Sequence, residues 1–286
     1  MEQFEVKYEK RLVAFIDVMG FKELLKPEPF NQNQLSRYYN TAFKYLEEKE
    51  SLYLKNAEDD KFTNIFVSDS IILSVVLSGN ATNDFLKAGR LISTISELQY
   101  RLATHASVWT RGALSIGDLC IDSQKNVLVG PAFVQAYELE RLANYPRVII
   151  DPRVIKEFSM TSDKFVEEMR SSVYRSWLIG TNVQPLWRQS DFKNDAIQID
   201  WFSYAFHDLV DLNPFFMDII KRQYSNQELF IKSEFLVRYL IESHSRYRSE
   251  FFVKVANNDT LKNRNNEIAR HLAALSSAVN VNELLI

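Results

Sequence analysis

Two aspartates stand where strands of this chain are expected to turn, and their carboxylates are the groups best suited to chemistry. Asp17 follows the apolar run LVAFI inside FIDVMGF, and Asp69 lies in the polar break of FVSDSI. If these segments are neighbours in one antiparallel sheet, both carboxylates meet at the same edge. Carboxylates held a few ångströms apart repel each other and shift towards their protonated forms. A divalent cation such as Mg²⁺ removes that conflict.

The aspartate pair has two interpretations that stay open at this point. Two metal ions held by such carboxylates can activate an attacking oxygen and stabilise the leaving oxygen of a displacement at phosphorus. Gly20 would then let the backbone approach a triphosphate, and the amides of Phe21 and Lys22 would favour anions at a helix N-terminus. Alternatively, an aspartate after a strand is a turn former or helix cap, and Ser-Asp-Ser is ordinary turn chemistry.

Composition restricts the classes of function. The chain has 286 residues, is 46% hydrophobic and carries a formal net charge of −3, which argues against a general nucleic-acid binder. A single cysteine, Cys120, excludes a disulfide framework and a multi-cysteine zinc site. No apolar run approaches the roughly 18–20 residues that span a bilayer, and the charged N-terminus is not a secretory signal. We therefore expect a cytoplasmic protein with neither a membrane nor a nucleic acid as its partner.

The elements that would position the aspartates follow from hydrophobic patterning. Leu12 to Ile16 is a continuous apolar run, as in a strand buried on both faces. The first 150 residues read strand–helix–strand–strand–helix–strand–strand–helix–strand, which contains the split βαβ order. The sequence therefore predicts an α+β fold with a ferredoxin-like (palm-type) antiparallel sheet and helices on one face.

The second half of the chain is less regular. Residues 153 to about 195 are mixed, Ala196 to Phe206 is predicted as one more strand, and the pattern from His207 to Ile286 is helical. We expect a domain over residues 1–205 and a C-terminal helical appendage over residues 206–286.

Four segments in order, FIDVMGF, FVSDSI, RGALSIGDL and VLVGPAFVQAYELE, resemble the class III nucleotidyl cyclase domain over roughly residues 10 to 152. The resemblance implies that Asp17 and Asp69 are metal ligands, assisted by the carbonyl of Val18, for two Mg²⁺ or Mn²⁺ ions. It also implies a nucleoside triphosphate substrate and a head-to-tail homodimer with active sites at the subunit interface.

The sequence departs from that family in the helix after Gly130. The family pattern G-x-x-V-N-x-A-x-R-x-E supplies an asparagine and an arginine, but GPAFVQAYELE has Val134 and Glu138 there. Valine cannot donate a hydrogen bond, and glutamate has the wrong charge for a triphosphate. Thr63 to Val67 holds no lysine, and Val127 to Val129 is apolar, so the pair that reads the base in purine cyclases is absent.

Two explanations follow from these departures. The chain is either a cyclase-like module that binds a nucleotide or a protein without chemistry, or a divergent enzyme. The latter would be similar to the stand-alone bacterial pyrimidine cyclases of Pycsar anti-phage defence, which make cyclic UMP or cyclic CMP as a signal. UTP or CTP is then favoured over ATP or GTP. A third and weaker hypothesis is another palm-type phosphotransferase that uses the same metal pair.

Candidates for the missing cation are Lys22, Arg111, Arg141 and Arg147. Arg111 begins RGALSIGDL, and Arg147 lies inside the predicted strand YPRVII, where a charged side chain calls for a partner or a function. We assign both as catalytic candidates. The alternative for each is an edge-strand cation or a partner of a nearby glutamate. Tyr137 precedes the usual arginine position and would contact the base, although core packing is the simpler role. The remaining charges nearby fit solvated or ion-pair roles better: Lys22, Glu138, Glu140 and Arg141.

Overall fold

The computed structural model describes the chain in separate ranges, which are 5–56, 62–122, 125, 127–170, 186–188, 197–206, 208, 210–225, 227–255 and 259–283. The strands are β1 Glu9–Val18, β2 Phe62–Val67, β3 Ser70–Val76, β4 Thr110–Asp122, β5 Val127–Val129, β6 Val148–Ile150, β7 Leu186–Arg188 and β8 Ile197–Ile199. The α-helices are α1 Phe21–Leu24, α2 Pro29–Asn56, α3 Ala81–His105, α4 Pro131–Ala143, α5 Pro152–Glu157, α6 Ser162–Arg170, α7 Asn213–Gln223, α8 Gln227–Val255 and α9 Asp259–Glu283.

The strand order confirms the predicted fold class. Within the described residues, one sheet runs β2-β3-β1-β4-β6-β8-β7, with β5 paired to β4. The four neighbours β2, β3, β1 and β4 are antiparallel to one another, which is the order that a split βαβ chain produces. Beyond them the sheet is mixed rather than purely antiparallel, because β6 runs parallel to β4.

Helices cover both faces of the sheet, which corrects the expectation of helices on one face. Alternate residues of β1 point to opposite sides. Leu12, Ala14 and Ile16 pack in the core that includes α2 and α3. Phe15 packs instead with Ala136 of α4 on the other side. Ala132 and Ala136 lie four residues apart on α4, and their small side chains let the helix lie close to the strands. The number of helices in the sequence does not predict on which face of the sheet each one packs.

The C-terminal helices share a second core with α3 and the turn before β4. The residues of this core that precede the C-terminal region include Tyr100, Ala103 and Trp109. The division at 205/206 stays a prediction. None of the helices in the described parts of the chain combines the length and apolarity needed to cross a bilayer.

The predicted strand Ala196 to Phe206 is wrong over most of its length. Residue 196 lies outside the described residues, Ile197–Ile199 is strand, and Phe202–Phe206 is a 3-10 helix with five buried residues. The hydroxyl of Tyr239 accepts the backbone N–H groups of both Trp201 and Phe202 at 2.9 Å. A side chain from α8 therefore takes the donors that a neighbouring strand would have used.

Candidate functional site

Asp17 and Asp69 lie at the same edge of the sheet. Asp17 is the last residue but one of β1, and its register partners are Ser70 in β3 and Arg111 in β4. Asp69 lies in the tight turn between β2 and β3. The backbone N–H of Val18 donates to the carbonyl oxygen of Asp69 at 3.1 Å. The two strand ends that carry the aspartates are thus tied directly to each other.

The carboxyl group of Asp17 is electrostatically strained. Its pKa is raised to about 6, first by burial and then by repulsion from the carboxylates of Asp69 and Glu140. The guanidinium of Arg111 and a hydrogen bond from Ser70 oppose that rise. The Ser70 hydroxyl donates to Oδ1 of Asp17 at 3.3 Å. Asp17 is therefore an acid whose charged form lacks full compensation from the protein.

Arg111 links this edge to helix α4. Its Nη2 lies 3.5 Å from Oδ2 of Asp17, and its Nε contacts Oε1 of Glu140 in an ion pair. Glu140 is buried, with 2% of its surface exposed. Burial raises the pKa of Glu140, and Arg111 opposes the rise. One arginine thus serves two carboxylates that belong to different elements.

Gly20 adopts a backbone conformation that favours glycine. Its φ is +75°, and an added Cβ would meet nothing within 4 Å, so the turn rather than a close approach explains this residue. Helix α1 is a single turn in which Phe21 is buried and Lys22 is exposed. A helix of this length has little macrodipole. An anion site here would depend on the individual amides.

Tyr137 lies beside the aspartate edge. Its ring meets the ring of Phe15 edge to face, with centroids 5.5 Å apart, and Phe15 lies two residues before Asp17 on the same face of β1. The side chain is half-exposed, at 46%. It therefore packs on the sheet with one part and is open to solvent with another. Val134 and Glu138 are exposed on the same helix.

Arg147 lies at the contact between the sheet and the C-terminal helices. It is 8% exposed, and its Nε donates to the carbonyl of Ala143 at 3.0 Å. Its guanidinium lies over the rings of Tyr145 and Phe235, 5.7 Å from each centroid. These contacts attach Arg147 to α8, whereas Arg111 contacts Asp17.

Glu140 and Ser70 are the site residues that sequence reasoning missed. The sequence leaves Glu140 as a solvated charge or an ion-pair partner, and the structure shows it paired with Arg111, which was the alternative to a catalytic role for that arginine. Glu140 follows Ala132 and Ala136 at four-residue spacing and therefore shares their sheet-facing side. That spacing was the available signal. Ser70 became identifiable only from the strand register opposite Asp17.

The aspartate pair has the donor chemistry of a magnesium site. No group of three or more His, Cys, Asp or Glu side chains suited to a metal occurs in the described part of the chain. Mg²⁺ is, however, commonly held by one or two carboxylates, with water and substrate phosphates at the other positions. A cation would also stabilise the ionised form of Asp17, which burial disfavours. The chemistry of the two carboxylates therefore suits a divalent cation whose other positions are filled by water or a ligand.

Comparisons with known proteins give only distant similarity. No family model and no curated protein matches the chain, whereas its fold matches 78 chains of solved structures. One is the monomeric guanylyl cyclase domain of the RhoGC fusion protein from the aquatic fungus Blastocladiella emersonii, with 15% identity over 55% of this chain and 89% of that chain and a TM-score of 0.40. The adenylyl cyclase CyaB from P. aeruginosa has 14% identity over 68% and 96%, with a TM-score of 0.40.

A third structure is a class III adenylyl cyclase-like ATP-binding protein from Pseudomonas aeruginosa. It has 11% identity over 85% of this chain and 60% of that chain, with a TM-score of 0.38. Likeness at this level supports no conclusion about function. The ferredoxin-like core is established by the strand order of the chain itself.

Proposed function

We propose that this chain is a nucleotidyl cyclase that converts a nucleoside triphosphate into a 3′,5′-cyclic nucleotide and pyrophosphate. One observation carries the proposal. Asp17 and Asp69 share a sheet edge, and the pKa of Asp17 is raised to about 6 by burial and by neighbouring carboxylates. Buried carboxylates that repel each other are typical of functional sites, and a bound cation would offset their repulsion, which supports the proposal.

The residues of the chain would act mainly by positioning and by charge. Two bound Mg²⁺ or Mn²⁺ ions would activate the 3′-hydroxyl and neutralise the phosphates. Asp17 and Asp69, with the carbonyl of Val18, would hold the metals at the sheet edge. Arg111 has a side chain that is 30% exposed, and its planar guanidinium suits bidentate contact with a phosphate. Glu140 would keep that guanidinium oriented, so that it stabilises charge on the departing pyrophosphate.

The same residues support a proposal for the substrate and the assembly. Tyr137 is 46% exposed beside Phe15, and its aromatic ring is a group on which a base can stack. Because the base-reading lysine and polar residue of purine cyclases are absent, we propose UTP or CTP as the substrate.

We also propose a homodimer with the sites at its interface, since α4 exposes Val134 at 51% and Tyr137 at 46% near the aspartate edge. A role as the signal-producing enzyme of anti-phage defence would follow if the product activates a separate effector.

The test is a direct assay for product. The purified chain is incubated with each of the four nucleoside triphosphates and Mn²⁺ or Mg²⁺, and cyclic nucleotide and pyrophosphate are quantified. Asp17→Asn and Asp69→Asn should each abolish product while leaving the fold intact. Absence of product from every nucleotide, with Asp17→Asn binding nucleotides as the wild type does, would contradict the cyclase proposal. Product that survives loss of both aspartates would contradict the metal assignment.

A second candidate is a cyclase-like module that binds a nucleotide or a protein without chemistry. It is favoured by the contact of Arg111 with Asp17, which places a protein cation where a metal would act. The exposed Val134 and Glu138 at the family's asparagine and arginine positions point the same way. This candidate predicts nucleotide binding without turnover in the same assay, and sedimentation of the free chain would report its oligomeric state.

A further inference from the structure

The turn between α3 and β4 lies directly beside the aspartate edge. Ser107 has a φ of +54°, a left-handed conformation that is unusual for a residue other than glycine. Val108 and Trp109 are buried, at 2% exposure each. The N–H of Val108 donates to the carbonyl of Leu102 at 3.0 Å. A strained conformation of this kind persists only where its surroundings hold it.

Two helices that are distant in sequence hold this turn. Gln34 of α2 donates from Nε2 to the carbonyl of Ser107 at 2.7 Å. Arg222 of α7 donates from Nη2 to the same carbonyl at 3.0 Å, and its guanidinium lies 4.2 Å from the centroid of the Trp109 ring. Stacking on an indole and donation to a carbonyl together use the planar fork of arginine, which lysine cannot reproduce.

Arg222 is itself anchored within α7. Its Nε donates to Oδ2 of Asp218 at 2.9 Å. Burial raises the pKa of Asp218, and the charge of Arg222 opposes that rise. The guanidinium therefore has a fixed orientation before it meets the turn.

The turn between α3 and β4 also holds the segment that follows Asp17. The carbonyl of Trp109 accepts the backbone N–H of Met19 at 2.9 Å, and the N–H of the preceding Val18 donates to the carbonyl of Asp69 at 3.1 Å. A continuous chain of direct contacts thus runs from Arg222 in the C-terminal region to the strand ends that carry both aspartates.

We propose that Arg222 is a positioning residue for the metal–nucleotide site. Through Trp109 it fixes Met19 and Val18, and so it sets the separation of the carboxylates of Asp17 and Asp69. This inference rests on the proposed function and gives the C-terminal helices a role in it. Residues that orient metal ligands from outside typically change metal affinity or activity about 10–100-fold when they are replaced.

The test compares two arginines of the C-terminal region in the full chain, the partly exposed Arg222 and the buried Arg264. Arg222→Met removes the guanidinium that contacts the turn. Arg264→Met is the matched control, because Arg264 also donates to two backbone carbonyls, those of Ala205 and Val210, at 2.8 Å each. It also pairs with Glu267 at 3.1 Å. None of these contacts involves residues 107–111.

The readouts are the Mn²⁺ dissociation constant without nucleotide, measured by water-proton relaxation, and kcat and KM for the preferred nucleotide. We expect Arg222→Met to weaken Mn²⁺ binding about tenfold and to lower kcat at least about tenfold. KM should change less than about threefold, because the groups that bind the nucleotide stay in place. Arg264→Met should keep the Mn²⁺ dissociation constant and kcat within about twofold of wild type, even if it lowers the melting temperature as much as Arg222→Met does.

Each outcome decides the inference. Equal losses in the two variants, or an Arg222→Met protein with wild-type Mn²⁺ affinity, overturn it while the cyclase proposal stands. A wild-type chain that neither binds Mn²⁺ nor forms product overturns both. If Arg222→Met does not fold, Arg222→Lys keeps the charge but loses the fork. Its Mn²⁺ affinity should fall about threefold, and an unchanged affinity rejects the positioning role.

Discussion

Asp17 combines two properties that a stable fold does not require. Its side chain is only 18% exposed, and its pKa is raised to about 6 by burial and by the charges of Asp69 and Glu140. Asparagine would fill the same space without a charge. An acid retained under these conditions is typical of a functional site, where stability is lost in favour of chemistry.

The first prediction concerns stability without metal. Because the pKa of Asp17 is about 6 in the folded chain and about 3.9 in an unfolded one, the folded state binds more protons between these values. Stability therefore falls as pH rises from about 4 through 6. A shift of this size corresponds to about 3 kcal/mol, and solvent screening at a partly exposed group reduces it to about 1–2 kcal/mol.

Asp17→Asn should accordingly raise the free energy of unfolding by about 1–2 kcal/mol near pH 8 and by almost nothing near pH 4. Urea unfolding of the wild type and the variant in EDTA, near pH 4 and near pH 8, measures this difference in the free energy of unfolding. Asp118→Asn, an exposed acid on β4, is the control. An Asp17→Asn protein that is less stable than wild type near pH 8 would show that the carboxylate is compensated by the fold.

The second prediction concerns metal binding. A metal ligand must be deprotonated, so a cation at Asp17 displaces the proton that the apo protein holds below about pH 6. Mn²⁺ affinity should change little between about pH 7 and 8, and should fall about tenfold for each pH unit below about 6. Calorimetric titration across this range measures it. An affinity that is independent of pH down to about 5 would exclude Asp17 as a ligand.

Between elements, Arg111 joins β4 to α4 through the buried Glu140. Removing one partner of a buried ion pair leaves an uncompensated charge and costs about 3–5 kcal/mol. Because Arg111 is 30% exposed, the third prediction is a loss of about 2 kcal/mol for Arg111→Met near pH 8. Without the arginine the pKa of Glu140 rises further, so lowering the pH should restore part of that loss.

The double variant Arg111→Met/Glu140→Gln separates the buried charge from the lost packing. It should recover about half or more of the stability near pH 8, because the buried carboxylate of Glu140 is no longer left without its partner. Chemical denaturation of the wild type, both single variants and the double variant closes the cycle. A double variant as unstable as Arg111→Met would assign the loss to packing of the arginine stem instead.

Local patterns determined which elements could be predicted from the sequence. The two strands around Ser68 to Ser70 and the helix after Gly130 follow from apolar periodicity and turn residues, and the structure contains them. The failure at Phe202–Phe206 has a nonlocal cause, since Tyr239 lies far along the chain and takes the backbone donors there. The same limit applies to Glu140, whose burial depends on how α4 lies on the sheet.

At the scale of the whole molecule, the two cores share residues of α3 and of the turn before β4. Tyr100 and Trp109 are packed among aromatic side chains of the C-terminal region. The buried carboxylate of Asp200 accepts hydrogen bonds from Tyr239 at 2.6 Å and from Ser243 at 3.0 Å. The sequence indicated a helical appendage because it contains amphipathic helices, but it could not reveal which surface they cover.

The fourth prediction is that residues 1–205 do not behave as an independent domain. Cutting the chain there exposes Tyr100, Trp109 and Trp201, which are now 1–3% exposed, and removes Arg222 from the Ser107 turn. An exposed aromatic surface of this kind favours aggregation. We expect the truncated protein to be insoluble, or to unfold without the cooperativity of the full chain. A soluble 1–205 fragment that unfolds cooperatively and binds Mn²⁺ as the full chain does would instead establish the predicted boundary, and would remove any need for the C-terminal helices at the aspartate edge.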